Sequence, residues 1–193
     1  MIPDDYIPSV SEVEKYLSLW NELDNYVNQE NALDKLFFLL CRNNTDLSDI
    51  LIKCSTLNDF YSTNIYDVHS VAKHIFSISM IDKRLQSGDL SLVEDIANVK
   101  VGKTQVSKYF FSFASKYCSH HQPMKYAIFD KYVEKVLLFF RGRDRFCEFK
   151  NVDLKRYHIF ISVIKNFQEF YGLEQYNLKQ IDKYLWQLGK AYM

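Results

Sequence analysis

Scarcity of turn-forming residues constrains this chain most. Its 193 residues include only 5 Gly and 3 Pro. A many-turned β-protein needs such residues at each tight reversal, so the sequence favours helices joined by short polar links. Periodicity agrees. Val13, Tyr16, Leu17, Trp20, Leu23 and Val27 recur at helical spacing and place one stripe against a core. The spacing returns in Val68, Val71, Ala72, Ile75 and Phe76, and again in Val133, Val136, Leu137 and Phe140. No alternating run lasts long enough to suggest a sheet. The expectation is an all-α fold, a compact globular bundle of about eight to ten helices in one domain over residues 1–193. With 48% hydrophobic residues, the chain can bury such a core.

Capping residues place the helices. Ser11, with Glu14 three residues on, reads as a capping box. Asn31 opens a helix over 32–41 whose LFFLL run looks fully buried. A turn at 43–46 precedes a short helix over 47–54. Asp67 opens the next helix, and Asp89 or Ser91 the one after. A long helix is predicted from about 103 to 120. Thr104, Lys108, Ser112, Lys116 and Ser119 would form its exposed basic ridge. Asp130 opens a helix that ends in Arg141 and Arg143, cations suited to a helix C-terminus. Asp153 opens 154–171, Gly172 stops it, and Asn177 opens the last helix.

Net charge is zero, but its distribution is uneven. Residues 1–70 carry 12 acidic and 4 basic side chains, whereas 100–165 carry 14 basic and 5 acidic. A positive side attracts phosphate backbones by counterion release. The acidic N-terminal segment offers a docking face for a basic protein partner. No run of about 18 apolar residues exists, so no membrane span is predicted. MIPDDYIPSV lacks an apolar signal core. Cys41, Cys54, Cys118 and Cys147 lie far apart and read as reduced thiols. The expected location is cytoplasmic.

Few short motifs carry chemistry. ANVKVGKT, over 97–104, is poor in glycine for a phosphate loop, and no acidic metal-binding strand follows, so it reads as a basic link. His120 and His121 lack partners at metal-ligand spacing, and they suit a helix C-terminus or a phosphate contact. Cys118 has no evident base and orienter. No metal or cofactor is expected. Asp130 is an N-cap whose carboxylate could also serve as a fixed anion beside a reaction centre.

The run SFASKYCSHHQPMKYAIFDKYV resembles the second half of the core of helix-hairpin-helix DNA glycosylases, the endonuclease III-like superfamily. Upstream, YSTNIYDVHSVAKHI resembles that family's early Gln-x-Thr segment, with Tyr61 at the Gln position and Thr63 at the Thr. The likeness covers about residues 57–140. It implies a helical glycosylase-like core there, with 1–56 and 141–193 as flanking helices. It implies DNA as partner and excision of a flipped base, with Asp130 as catalytic carboxylate. Ser112 falls where bifunctional members carry a lysine, so a monofunctional enzyme is implied, and Lys116 is a displaced candidate amine. Lys103, Lys108, Ser112, His120, His121, Arg141 and Arg143 would contact nucleic acid. Tyr61, Tyr109 and Tyr126 would line the base pocket. The family's Leu-Pro-Gly-x-Gly hairpin is absent, since Lys108, Tyr109 and Phe110 stand in its place. A non-catalytic module that binds nucleic acid or protein on the same scaffold is the alternative.

Overall fold

The computed structural model describes residues 2–193. Its elements run α1 (Val10–Trp20), α2 (Asp24–Lys35), a π-turn (Leu36–Leu40), α3 (Leu47–Phe60), α4 (Val68–Ser77), α5 (Ile81–Ser87) and α6 (Ser91–Ala97). Two strands follow, β1 (Asn98–Val101) and β2 (Val106–Tyr109), then α7 (Phe111–His121) and α8 (Lys131–Asp144). A 3-10 turn (Asn151–Lys155), α9 (Tyr157–Phe170) and α10 (Leu178–Tyr192) complete the chain. Ten α-helices and one two-stranded sheet among the described residues make the protein mostly helical. None of these helices is long and apolar enough to cross a membrane.

The chain forms two compact units. One joins the N-terminal segment, through Val27, to Ala127–Met193; the other is Asn28–Tyr126. The stretch 57–140, expected as a single core, is thus divided between them. In the first unit α10 packs against α1 and α8. Tyr16, Val136, Leu137, Phe140, Tyr184 and Leu188 are buried there. In the second unit α3 packs on α4 and α7, and α6 on α7.

Several predicted caps form. The Asp67 carboxylate accepts from Ser70 N at 3.0 Å, and that of Asp130 from Tyr132 N at 2.8 Å. Asn177 and Gln180 make a reciprocal box with both bonds at 3.0 Å. Elsewhere the local chemistry shifts the boundaries. Ser9, not Ser11, caps α1. The first stripe breaks after Trp20, where tight turns precede α2. Asp46 caps α3, which runs on to Phe60 rather than stopping near 54. Asp153 accepts from Lys150 N at 2.8 Å inside the 3-10 turn, so α9 starts later, at Tyr157.

Two expectations fail. The LFFLL run is not fully buried: Leu36 and Phe37 are inside, but Leu39 is 72% and Leu40 64% exposed. A helical turn points its side chains all round, so five successive apolar residues do not share one buried face. The long helix from 103 does not form either. Residues 98–109 make an antiparallel hairpin pairing Asn98 with Tyr109, Val99 with Lys108, Lys100 with Ser107 and Val101 with Val106. Val99, Val101 and Val106 favour strand, and the turn takes left-handed backbone at Gly102 (φ 71°) and Gln105 (φ 53°). Gly102 N donates to Asp67 Oδ2 at 2.9 Å, tying the turn to the start of α4. The basic ridge therefore does not exist as one helical line. Thr104 sits in the turn, Lys108 on β2, and Lys116 and Ser119 are buried on α7.

Candidate nucleic-acid interface and the polar clusters of α7

The hairpin carries lysines, with the Asp67 carboxylate bonded at its turn and Glu94 near Tyr109. From Ile96 to Tyr126 the chain has Lys100, Lys103, Lys108, Lys116 and Lys125 and no carboxylate side chain. All of β2 is exposed, as are Lys100 and Lys103. Strand alternation places Lys100 and Tyr109 on one face, with Val99 buried on the other. The Tyr109 ring stacks on Phe111, centroids 5.6 Å apart at 15°. Two predicted phosphate contacts, Lys103 and Lys108, thus share the hairpin with the aromatic Tyr109, Lys108 on the opposite face of β2.

Helix α7 carries two polar lines, each built from residues four apart. Ser112, Lys116 and His120 form the outer one. Lys116 Nζ donates to Ser112 Oγ at 2.6 Å. It also sits 5.1 Å from the centre of the Tyr61 ring. The Tyr61 hydroxyl meets His120 Nε2 at 2.8 Å. Lys116 is 2% exposed and Tyr61 36%, so the tyrosine ring covers the amine. Tyr61 ends α3, and the loop after it takes positive φ at Ser62 (48°) and Asn64 (57°). Asn58 pins that loop, accepting from Thr63 Oγ1 at 2.7 Å and Ile65 N at 2.9 Å. Four residues singled out from sequence are therefore together: Tyr61 for the base pocket, Lys116 as candidate amine, and Ser112 and His120 for nucleic acid.

Tyr117 and His121 form the inner line, which meets an amine that sequence reasoning missed. Lys53 of α3 is fully buried. Its Nζ donates to Asn43 O at 3.0 Å and Asn44 Oδ1 at 2.7 Å, and lies 3.3 Å from His121 Nε2. The Tyr117 hydroxyl donates a short bond to the same Asn44 Oδ1. The other end of that amide donates to Asp82 Oδ1 at 2.6 Å and lies 3.4 Å from His121 Nε2. Asp82 also accepts from Asn44 N. Burial pushes the Lys53 amine down to about 8, with Asp82 acting in the opposite direction. Burial, then the Lys53 charge, holds His121 well below the ordinary histidine value. Burial raises the Tyr117 phenol well above its own.

The remaining predicted site residues lie elsewhere. Tyr126 is fully buried, and its hydroxyl donates to Arg84 O at 3.2 Å and Asp89 O at 3.1 Å. With no exposed face it offers no stacking surface for a base. His121 belongs to the buried network, not to a phosphate-facing surface. Arg141 donates to Phe149 O at 2.7 Å. Arg143 donates to Asp4 O at 2.9 Å, Tyr6 O at 2.7 Å and both Asp144 oxygens. Arg141 thus fastens the loop after its own helix, and Arg143 the N-terminal segment. Asp130 caps α8 in the unit that contains Ala127–Met193. Among the described residues, no group of three or more His, Cys, Asp or Glu could hold a metal.

Residues 12–125 match the family described as HI_0787_N: N-terminal domain. The chain belongs to the HI_0787_N family. The match ends one residue before the end of the unit Asn28–Tyr126 and spans the hairpin and both lines of α7. An uncharacterized protein of Haemophilus influenzae is 49% identical to this HI_0787_N chain over 146 residues, covering 76% of the chain and 69% of that protein. No solved structure matches.

Lys53 did leave a signal in the sequence. It stands three residues after Ile50 and four before Leu57, both fully buried, so it occupies an apolar position of its helix. A lysine there must find polar partners or lose its charge. The sequence does not reveal those partners, since Asn44, Asp82 and His121 come from three other segments.

Proposed function

We propose that this chain is a DNA glycosylase-like protein. It holds nucleic acid through the basic hairpin and excises a flipped base, with Asp130 as the catalytic carboxylate. The observation that carries this reading is the Lys116 amine, held by Ser112 Oγ at 2.6 Å beneath the Tyr61 ring. Base excision needs an aromatic face to receive the extruded base and a charged group near the sugar. Tyr61 offers such a face, and displacement of its ring would uncover the Lys116 amine. The C1′–N bond breaks, water adds to C1′, and the water proton passes through the Asp130 carboxylate to the departing base. The protein would work in the cytoplasm, and the acidic residues of its N-terminal segment would serve a protein partner.

Duplex oligonucleotides carrying uracil, an oxidised purine or an alkylated purine test the chemistry, with released base as the readout. Asn caps a helix as well as Asp does, so Asp130→Asn keeps the start of α8 while removing the carboxylate. The expected result is base release by the wild type and a loss of about 100-fold or more in Asp130→Asn. Equal release by both would remove Asp130 from the chemistry. Borohydride trapping separates routes: a covalent adduct would make Lys116 the nucleophile, and its absence during base release is expected for attack by water.

The alternative is a nucleic-acid-binding module without chemistry. The exposed hairpin favours it, because Lys100, Lys103, Lys108 and Tyr109 need no neighbouring catalytic group to bind a strand. Binding without base release from any of the three lesions is the outcome it expects.

A further inference from the structure

In the Lys53 network two donors, Lys53 Nζ and Asn44 Nδ2, approach one acceptor atom, His121 Nε2. An ammonium has three hydrogens, and Lys53 has three acceptors in reach: Asn43 O, Asn44 Oδ1 and His121 Nε2. Asn44 Nδ2 approaches the same His121 nitrogen. Its orientation is fixed, because Lys53 brings hydrogens to one end of the amide and Asp82 accepts them at the other. His121 must therefore be neutral and accept through Nε2. A proton on that nitrogen would point at one ammonium and one amide N–H, with no acceptor before it.

We propose that this network is an acid-sensitive latch: protonation of His121 expels its ring from Lys53 and Asn44, and frees both the loop over 41–46 and the last turn of α7. Titratable groups face the latch from each element around it. Cys41 ends the π-turn, Asp49 and Cys54 lie on α3 with Lys53, Asp82 lies on α5, and Tyr117 and His120 lie on α7. Asp82 is the carboxylate bonded into the network, and its oxygens already accept from Asn44 N and Nδ2. Release at His121 reaches the outer line directly, since the next residue, His120, holds the Tyr61 hydroxyl over Lys116. Acid would thus loosen the cover of the proposed base site.

The sign follows from linkage. Because the closed state holds His121 below its ordinary value, the open state binds the proton more readily. Opening is therefore suppressed above about pH 6.5 and grows by up to about tenfold per pH unit below it. Only the meaning of the uncovered cluster rests on the proposed function. The latch itself is read without nucleic acid or activity, so it can fail while base release stands, and the reverse.

Amide hydrogen exchange on the full chain, corrected for the intrinsic pH dependence of exchange, tests it. Between about pH 7.5 and 5, residues 41–46 and 118–122 should lose protection by tenfold or more while α9 does not change. His121→Gln keeps a neutral acceptor at every pH and should remove the acid step. Flat protection in the wild type, or an unchanged step in His121→Gln, overturns the latch. NMR of the wild-type His121 ring decides the matter if that variant does not fold. The ring should stay neutral for as long as these segments stay protected. Titration near the ordinary value of about 6.5 with protection intact overturns the proposal.

Discussion

At the residue scale, Lys53 sets the character of the second unit. Truncating it removes the stem from a packed site, takes the Lys53 donor from Asn43 O and leaves Asn44 Oδ1 with Tyr117 alone. Lys53→Ala should therefore cost about 3 kcal/mol in chemical denaturation. Lys53→Met keeps the stem and isolates the charge. The folded amine titrates at about 8 against an ordinary 10.5, so between these values the unfolded chain binds more protons. Wild-type stability should rise with pH through that window, by roughly 2–3 kcal/mol in all. Below about 8 the charged amine is a cost, and Lys53→Met should lack the rise. Equal slopes for the two proteins would show that Lys53 is not held as described. Part of this was legible in the sequence. A lysine at an apolar helix position marks a buried amine, but what compensates it is a matter of tertiary contact. Ser112, Lys116, His120 and Tyr61 were legible as polar or aromatic candidates. What each histidine would meet was not, because Tyr61, Asn44 and Lys53 come from other segments, and the helix start was misplaced by eight residues, from 103 to Phe111.

At the element scale, periodicity located most helices, and caps fixed Asp67, Asp130 and Asn177 at helix starts. It failed at 98–109, where each strand is only four residues long. Two alternations per strand do not stand out from a helical pattern, and Val106 and Phe110 also fit a helix running into α7. Contact between elements was less legible still. Gly189 of α10 lies so close to α8 that an added Cβ would sit 2.7 Å from Tyr132 Cβ and 2.8 Å from Tyr132 O. Nothing in the sequence around Gly189 distinguishes it from a helix glycine tolerated by chance. Gly189→Ala gains helix propensity but must push α10 from α8, so a net loss of about 1–3 kcal/mol is expected. A gain in melting temperature would contradict the close approach.

At the scale of the whole molecule, zero net charge hides an uneven distribution along the chain. The sequence alone showed the positive stretch, but not that its lysines stand on an exposed hairpin beside Tyr109. Each phosphate contact displaces about one counterion and steepens the salt dependence of binding by about 0.9 in log–log slope. Replacing Lys100, Lys103 and Lys108 together with Gln should weaken binding and reduce the slope by about 2–3. Truncating Tyr109 to Ala should weaken single-strand binding by roughly 1–3 kcal/mol while leaving the slope unchanged. The most direct measurement is fluorescence anisotropy of labelled duplex and single-stranded DNA, titrated with the full chain from about 50 to 200 mM salt. Nucleic-acid recognition by the hairpin requires binding that falls steeply with salt, and a shallower dependence in the triple-Gln variant. No binding at low salt, or a wild-type affinity indifferent to salt and to the three lysines, would contradict it.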